Sequence, residues 1–201
     1  TNMATVVWGL VAAPLVAVSL WSWLPRPSAW SLSGLAAATV LLSAAVGWWF
    51  GESPVLAAWW WLAVVGSALA LIDQMHHRLP HPWLAILLLG GAVVFAVEAM
   101  TIHQPQVVVR LVAASAVVLV LGLLVQWLAP GQVGFGDTLL LTVVAPFWAW
   151  HGWSTVAAGL LCAHLVLGLL AGVAWIAGSR GPGARIAAGP GLLLGAWLPL
   201  L

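Results

Sequence analysis

Two aspartates, Asp73 and Asp137, are the residues of this chain best suited to do chemistry. They are its only aspartates, and both stand where a long apolar run meets a polar break. An ionisable group at the edge of an apolar segment is costly to keep there, which makes it a functional hypothesis in its own right. If the two carboxylates face each other in a partly dehydrated site, like-charge repulsion lets the pair hold a single proton. Such a pair activates water. The ionised carboxylate takes a proton from the water as it attacks a peptide carbonyl; the protonated one hydrogen-bonds the developing oxyanion and then helps protonate the leaving nitrogen. The plainer reading is two interfacial carboxylates held by structural hydrogen bonds.

The surroundings of each aspartate differ. Gly134-Phe135-Gly136-Asp137 sets two glycines just before an apolar run, where the backbone turns tightly, approaches a substrate strand closely, and opens a helix whose N-terminus favours a carboxylate. Asp73 is followed by Gln74-Met75-His76-His77-Arg78-Leu79-Pro80, a polar run that marks a membrane exit before Pro80 resets the chain. Arg78 is expected to anchor this loop to anionic headgroups, with orientation of substrate as its second role. His76, His77 and His81 share the loop, but their spacing lacks the carboxylate or thiol partner of a usual zinc set, so neither metal nor other cofactor is expected. His103, His151 and His164 are scattered. Glu98 is expected to snorkel or to pair with Arg110.

The elements that must position these groups are membrane spans. With 64% hydrophobic and 4% charged residues, the chain has too little polar surface to cover a water-soluble globule. About 20 apolar residues cross a hydrocarbon core as a helix, and breaks at Pro25-Arg26-Pro27, 51–54, 74–81, 101–106, 130–136, 151–152 and 178–183 leave eight such runs. They are Val6–Leu24, Leu35–Phe50, Val55–Asp73, Pro82–Met100, Val107–Ala129, Asp137–Trp150, Thr155–Ala177 and Ala188–Leu201, the sixth and last short. The expected fold is an all-α transmembrane bundle forming one domain over residues 1–201. The first run has no basic flank before it and no Ala-x-Ala-like site after it, so it is expected to stay as a helix.

Arg26, Arg78, Arg180 and Arg185 fall in odd-numbered loops, which the positive-inside rule places in the cytoplasm, with the N-terminus outside. Strict alternation then puts Asp73 and Asp137 on the same, cytoplasmic side. The Trp59-Trp60-Trp61 run and Trp148, Trp150 and Trp153 are expected to form interfacial belts. Glycine and alanine in the spans suit close helix packing. Five arginines without a lysine make no cluster for nucleic acid. The single cysteine, Cys162, removes an intrachain disulfide and a thiolate metal cluster.

In three places the residues resemble the type IV prepilin peptidases, membrane aspartyl proteases with a Gly-x-Gly-Asp motif. Ile72-Asp73, followed after the polar run by Leu79-Pro80, is similar to the first motif; Gly134 to Asp137 with Leu140 is similar to the second. Ile186-Ala187-Ala188-Gly189-Pro190, with Leu192 to Gly195, resembles the closing Ile-Pro-Phe-Gly-Pro segment. The resemblance covers roughly residues 55–197. It implies a bacterial or archaeal cell-membrane enzyme in which Asp73 and Asp137 are the catalytic pair and Gly134, Gly136, Leu79, Pro80, Gly189 and Pro190 support the site or the approach of substrate. Its implied partners are membrane lipid and a pilin-like precursor, whose short basic leader is cut off at the cytoplasmic face just before a hydrophobic helix.

This sequence departs from the family at Leu139, where a lysine is usual, at His81, where an acid commonly follows the proline, and at Ala187-Ala188, where Pro-Phe is usual. The segment with paired cysteines that accompanies methyl transfer in many relatives is not in this sequence, so no N-methylation is expected. Two other classes compete: a proton- or cation-coupled transporter, which would want an acid near mid-span, and an inactive scaffold of a pilus or secretion assembly. A presenilin-like protease would need Tyr-Asp and Pro-Ala-Leu motifs that are not found here.

Overall fold

A computed structural model describes residues 29–51, 53–177 and 187–200. The expected first span Val6–Leu24, together with Arg26, Glu52, Arg180, Arg185 and Ile186, lies outside the described residues. Seven α-helices follow in order: α1 (Ala29–Trp49), α2 (Leu56–His76), α3 (His81–Thr101), α4 (Pro105–Leu128), α5 (Phe135–His151), α6 (Trp153–Ile176) and α7 (Gly189–Trp197), with a 3-10 turn at Leu198–Leu200. The described residues therefore give an all-helical chain of seven helices where eight spans were expected. Helices α2, α3, α4 and α6 are long and apolar enough to cross a membrane. The shortest two are α5 at 17 residues and α7 at 9.

Local chemistry explains the helix ends. Pro105 opens α4 and Pro190 falls in the first turn of α7, positions where the missing N–H costs nothing and the fixed φ suits a helix. Pro80 stands extended just before α3. His77 closes α2 in the left-handed region (φ 49°, ψ 41°), its N–H donating to the Asp73 carbonyl, the arrangement that satisfies a last-turn carbonyl. Asp73 thus sits inside the last turn of α2 instead of closing it, and Asp137 inside the first turn of α5 instead of opening it.

Helix α2 is the buried centre and packs on α1, α3 and α7; α5 packs on α3, α4, α6 and α7. Facing outward are Val109, Val112 and Val120 on α4 and Leu165, Leu169 and Val173 on α6, all exposed. Such a surface is at home against hydrocarbon. Polar side chains stitch the interior: Thr39 and Ser67 hydroxyls pair at 2.8 Å between α1 and α2, and Gln126 Nε2 donates to Thr138 Oγ1 at 2.7 Å between α4 and α5.

The tryptophan runs are not simply belts. Trp59 and Trp148 are fully buried. Trp59 stacks on Phe50 at 4.9 Å and meets Phe147 edge-on at 5.6 Å, while Trp148 donates its indole N–H to the Ala196 carbonyl at 2.9 Å. Glycines make the slots. A Cβ at Gly159 would fall on the Trp148 ring, and one at Gly91 on the Phe147 ring. Trp153 is about half exposed, as a belt residue would be. Nor is Arg110 spent on Glu98: its guanidinium donates to the Ala149 and Trp150 carbonyls at 2.7 and 2.8 Å, so a cation caps the negative end of α5.

Gly195 meets α6 backbone directly, where an added Cβ would lie 2.4 Å from Ala163 Cα and 2.6 Å from the Cys162 carbonyl oxygen. Gly195→Ala is expected to lower stability in detergent by about 1–3 kcal/mol, the size of an overpacking defect. Gly168→Ala on α6, which has open space around it, is the control and should leave the thermal midpoint unchanged or slightly raised; an equal drop for both would refute this account of the contact.

Candidate active site

Asp73 is only 4% exposed. A carboxylate this buried needs donors, and one arrives from far along the chain: the backbone N–H of Gly189, opening α7, donates to Asp73 Oδ2 at 2.7 Å. Gly189 has to be small, because a Cβ there would stand 2.9 Å from that same oxygen and 3.1 Å from Asp73 Cβ.

Asp137 also lies beside a glycine, this one at the start of its own helix. Gly134 is the extended N-cap of α5, and Asp137 stands three residues on, in the first turn, where the helix N-terminus favours an acid. A Cβ at Gly134 would lie 2.8 Å from Asp137 Oδ2. Each aspartate therefore has a glycine close beside it, Gly189 for Asp73 and Gly134 for Asp137.

The two loops that carry these residues meet. Leu79, buried in the α2–α3 turn, lies against Gly136, where an added Cβ would come within 3.3 Å of the leucine Cβ. Asp73 and Asp137 consequently line one open cavity of about 660 Å³, together with Ile72, His76, His77, Arg78, Leu79, Pro80, His81 and Gly134 to Gly136. Both carboxyl groups thus border the same space.

Of the expected site residues, Asp73, Asp137, Gly134, Gly136, Leu79, Pro80 and Arg78 thus line the cavity, and Gly189 touches it through Asp73. Pro190 does not. It faces a separate apolar groove between α1, α2 and α7, with Gly66, Ala70 and Leu193. Leu139, which stands where the resembled family has a lysine, packs against the hydrophobic core.

Three features escaped sequence reasoning. His76 Nε2 is buried without a partner. The Gln126–Thr138 bond fixes the residue after Asp137, and the only hint was a glutamine inside an apolar run. His164 on α6 borders a small groove with Thr138, the residue after Asp137. Among the described residues no group of three or more His, Cys, Asp or Glu is gathered as a metal site. Comparison with protein-family models, with curated proteins and with solved structures gave no match.

Because Asp73 and Gly189 share one contact, their replacements are expected to be non-additive. Asp73→Ala and Gly189→Ala should each lower stability by about 1–3 kcal/mol, and the double variant by clearly less than the sum, as measured by unfolding in mixed micelles. A fully additive loss would show that the contact does not tie α7 to α2.

Proposed function

We propose that this chain is a membrane-embedded aspartyl endopeptidase that removes the leader from a pilin-like precursor at the membrane surface. The observation that carries the reading is that the chain's only two aspartates line one open cavity, each beside a glycine, with the Asp73 carboxylate on the Gly189 amide. The Gly189 amide holds the Asp73 carboxylate in place beside the shared space, a preorganisation that water activation needs.

In this reading a water lies between the carboxylates. The ionised one takes a proton from it as its oxygen bonds to the peptide carbonyl carbon; the protonated one hydrogen-bonds the carbonyl oxygen, which becomes the oxyanion. Collapse of the tetrahedral species breaks the C–N bond, and the leaving nitrogen takes a proton from the dyad. No metal and no covalent intermediate enters. Gly134 and Gly136 leave one side of the cavity low enough for a peptide backbone to lie close.

The three-part motif resemblance supports the pilin-like substrate and, with the arginine distribution, a bacterial or archaeal cell membrane with the cavity facing the cytoplasm. The transporter reading finds less support, since both acids belong to terminal turns of their helices. The scaffold reading differs from the enzyme only in outcome.

Co-expression with a panel of precursors, each with a leader of different charge, a glycine before the cut and a hydrophobic helix after it, tests the proposal. The unmodified protein is expected to release the leader, and Asp73→Asn or Asp137→Asn to slow release by about a hundred-fold or more. Intact precursors throughout with folded enzyme, or cleavage that survives either substitution, would overturn it.

A further inference from the structure

Resting on that peptidase reading, we infer that Gln126 is a positioning residue for Asp137. From α4 it holds Thr138, and so sets the direction in which the first turn of α5 presents its carboxyl group.

Helix α4 reaches α5 with polar side chains at three levels, and two of them answer needs of the α5 backbone. Arg110 donates to the Ala149 and Trp150 carbonyls of the last turn. Ser115 donates its hydroxyl to the Thr142 carbonyl at 3.1 Å, a group that lacks its helical donor because Pro146, four residues on, has no N–H. Gln126 is different. Its Nε2 donates at 2.7 Å to a side chain, the Thr138 hydroxyl, in a turn whose backbone is already paired. There the Asp137 and Thr138 amides donate to the Gly134 carbonyl at 3.1 and 3.2 Å, and the Thr142 hydroxyl donates to the Thr138 carbonyl at 2.8 Å. A polar amide is costly to keep in an apolar helix, and Leu123, Leu124, Val125 and Trp127 around it are exposed. That amide serves a residue next to the dyad.

The seat on α4 fits a threonine. Gly122, one turn before Gln126 on the same face of the helix, makes room for the Thr138 methyl, where an added Cβ would fall on it. Thr138 is buried, its methyl against Gly122 and its hydroxyl on Gln126. Holding both branches fixes χ1, and with it the rotation of the turn.

This turn needs an anchor. Gly134, its N-cap, makes no side-chain cap, and helix ends without one open most readily. Because successive helical residues stand about 100° apart, the rotation held at Thr138 decides where Asp137 points within the cavity it shares with Asp73. A misplacement of about 1 Å costs about a hundred-fold in rate.

The chain has only two aspartates, so isotopic labelling of aspartate carboxyl carbons gives one NMR signal for each, assigned with Asp73→Asn and Asp137→Asn. Gln126→Leu is expected to move the Asp137 signal and leave that of Asp73. It should also lower kcat for precursor cleavage about ten-fold or more, with KM little changed. Thr138→Val should act alike, and Thr138→Ser, which keeps a hydroxyl for Gln126, should retain most of kcat. Ser115→Ala removes the neighbouring α4–α5 hydrogen bond and is the control. It should lower the thermal midpoint in detergent at least as far as Gln126→Leu, while both signals and kcat stay in place.

An unmoved Asp137 signal in folded Gln126→Leu protein would overturn the inference. So would equal kcat losses in Gln126→Leu and Ser115→Ala, which would reduce the bond to packing of α4 on α5. Cleavage that needs both aspartates but not Gln126 would end the inference and leave the peptidase standing. If the unmodified protein cleaved no precursor, the peptidase reading would fall, and the Asp137 signal would still decide whether Gln126 holds that carboxyl group.

Discussion

A carboxylate placed inside an apolar bundle must find a donor, and much of this architecture follows from how Asp73 finds one. Its partner is the first amide of α7, contributed from the far end of the described chain. For the amide to reach, α7 must begin beside the last turn of α2, and the residue carrying it must have no side chain. The same short helix is then fixed against α6, where Gly195 allows backbone to touch backbone. With α7 seated between α2 and α6, a nine-residue helix too short to span a bilayer closes one side of the site.

The two ends of the bundle solve opposite problems. At the far end, Trp59 is surrounded by Phe50, Phe147, His151 and Trp197, with ring centroids 4.9 to 5.8 Å away, and Phe147 continues to Phe95 at 5.1 Å. These contacts tie α2, α3, α5 and the end of α7 through packed rings, an arrangement with substantial area and preferred geometry. Arg110 answers the exposed carbonyls of α5 at that end. At the site end the links are thin: a leucine on a glycine and an amide on a carboxylate. Rings clamp the helices at the closed end, and glycines hold them at the end with the open cavity.

Much of this was legible in the sequence because the signals are of long range and simple kind. Among the described residues, apolar runs and their breaks located the helices to within about four residues except at the start of α1, which begins at Ala29 and not at Leu35, and alternation placed Asp73 and Asp137 at the same end from the arginines and breaks alone. Gly134 and Gly189 were legible as motif positions, but the amide that Gly189 donates to Asp73 and the closeness of Gly134 to Asp137 need three dimensions. Trp59 and Trp148 were misread because position near a helix end does not tell which face of the helix meets the bundle. Arg110 was misread because opposite charge suggested Glu98, whereas a helix C-terminus offered carbonyls just as suitable. Pro190 adjoins Gly189 in sequence yet faces another groove, since successive helical residues point about 100° apart.

Where the acids lie along the helices weighs on what they can do. A carboxylate that couples ion movement has to be reached in turn from both sides of the membrane, which calls for a place near mid-depth between rearranging halves. Asp73 and Asp137 instead occupy terminal turns at one end of α2 and α5, and toward the other end the path along these helices runs into Trp59 and Phe147, both fully buried. Access from a single side suits hydrolysis of something that itself lies at that surface. For the proposed reaction, water would come from the polar phase while the precursor's apolar helix stayed in lipid, and the two would meet at the depth where these carboxylates are held. A pair at mid-depth would have water only through a channel, and a pair in a soluble loop would have no lipid-held substrate within reach. The terminal turn is the one depth at which a dyad serves both phases.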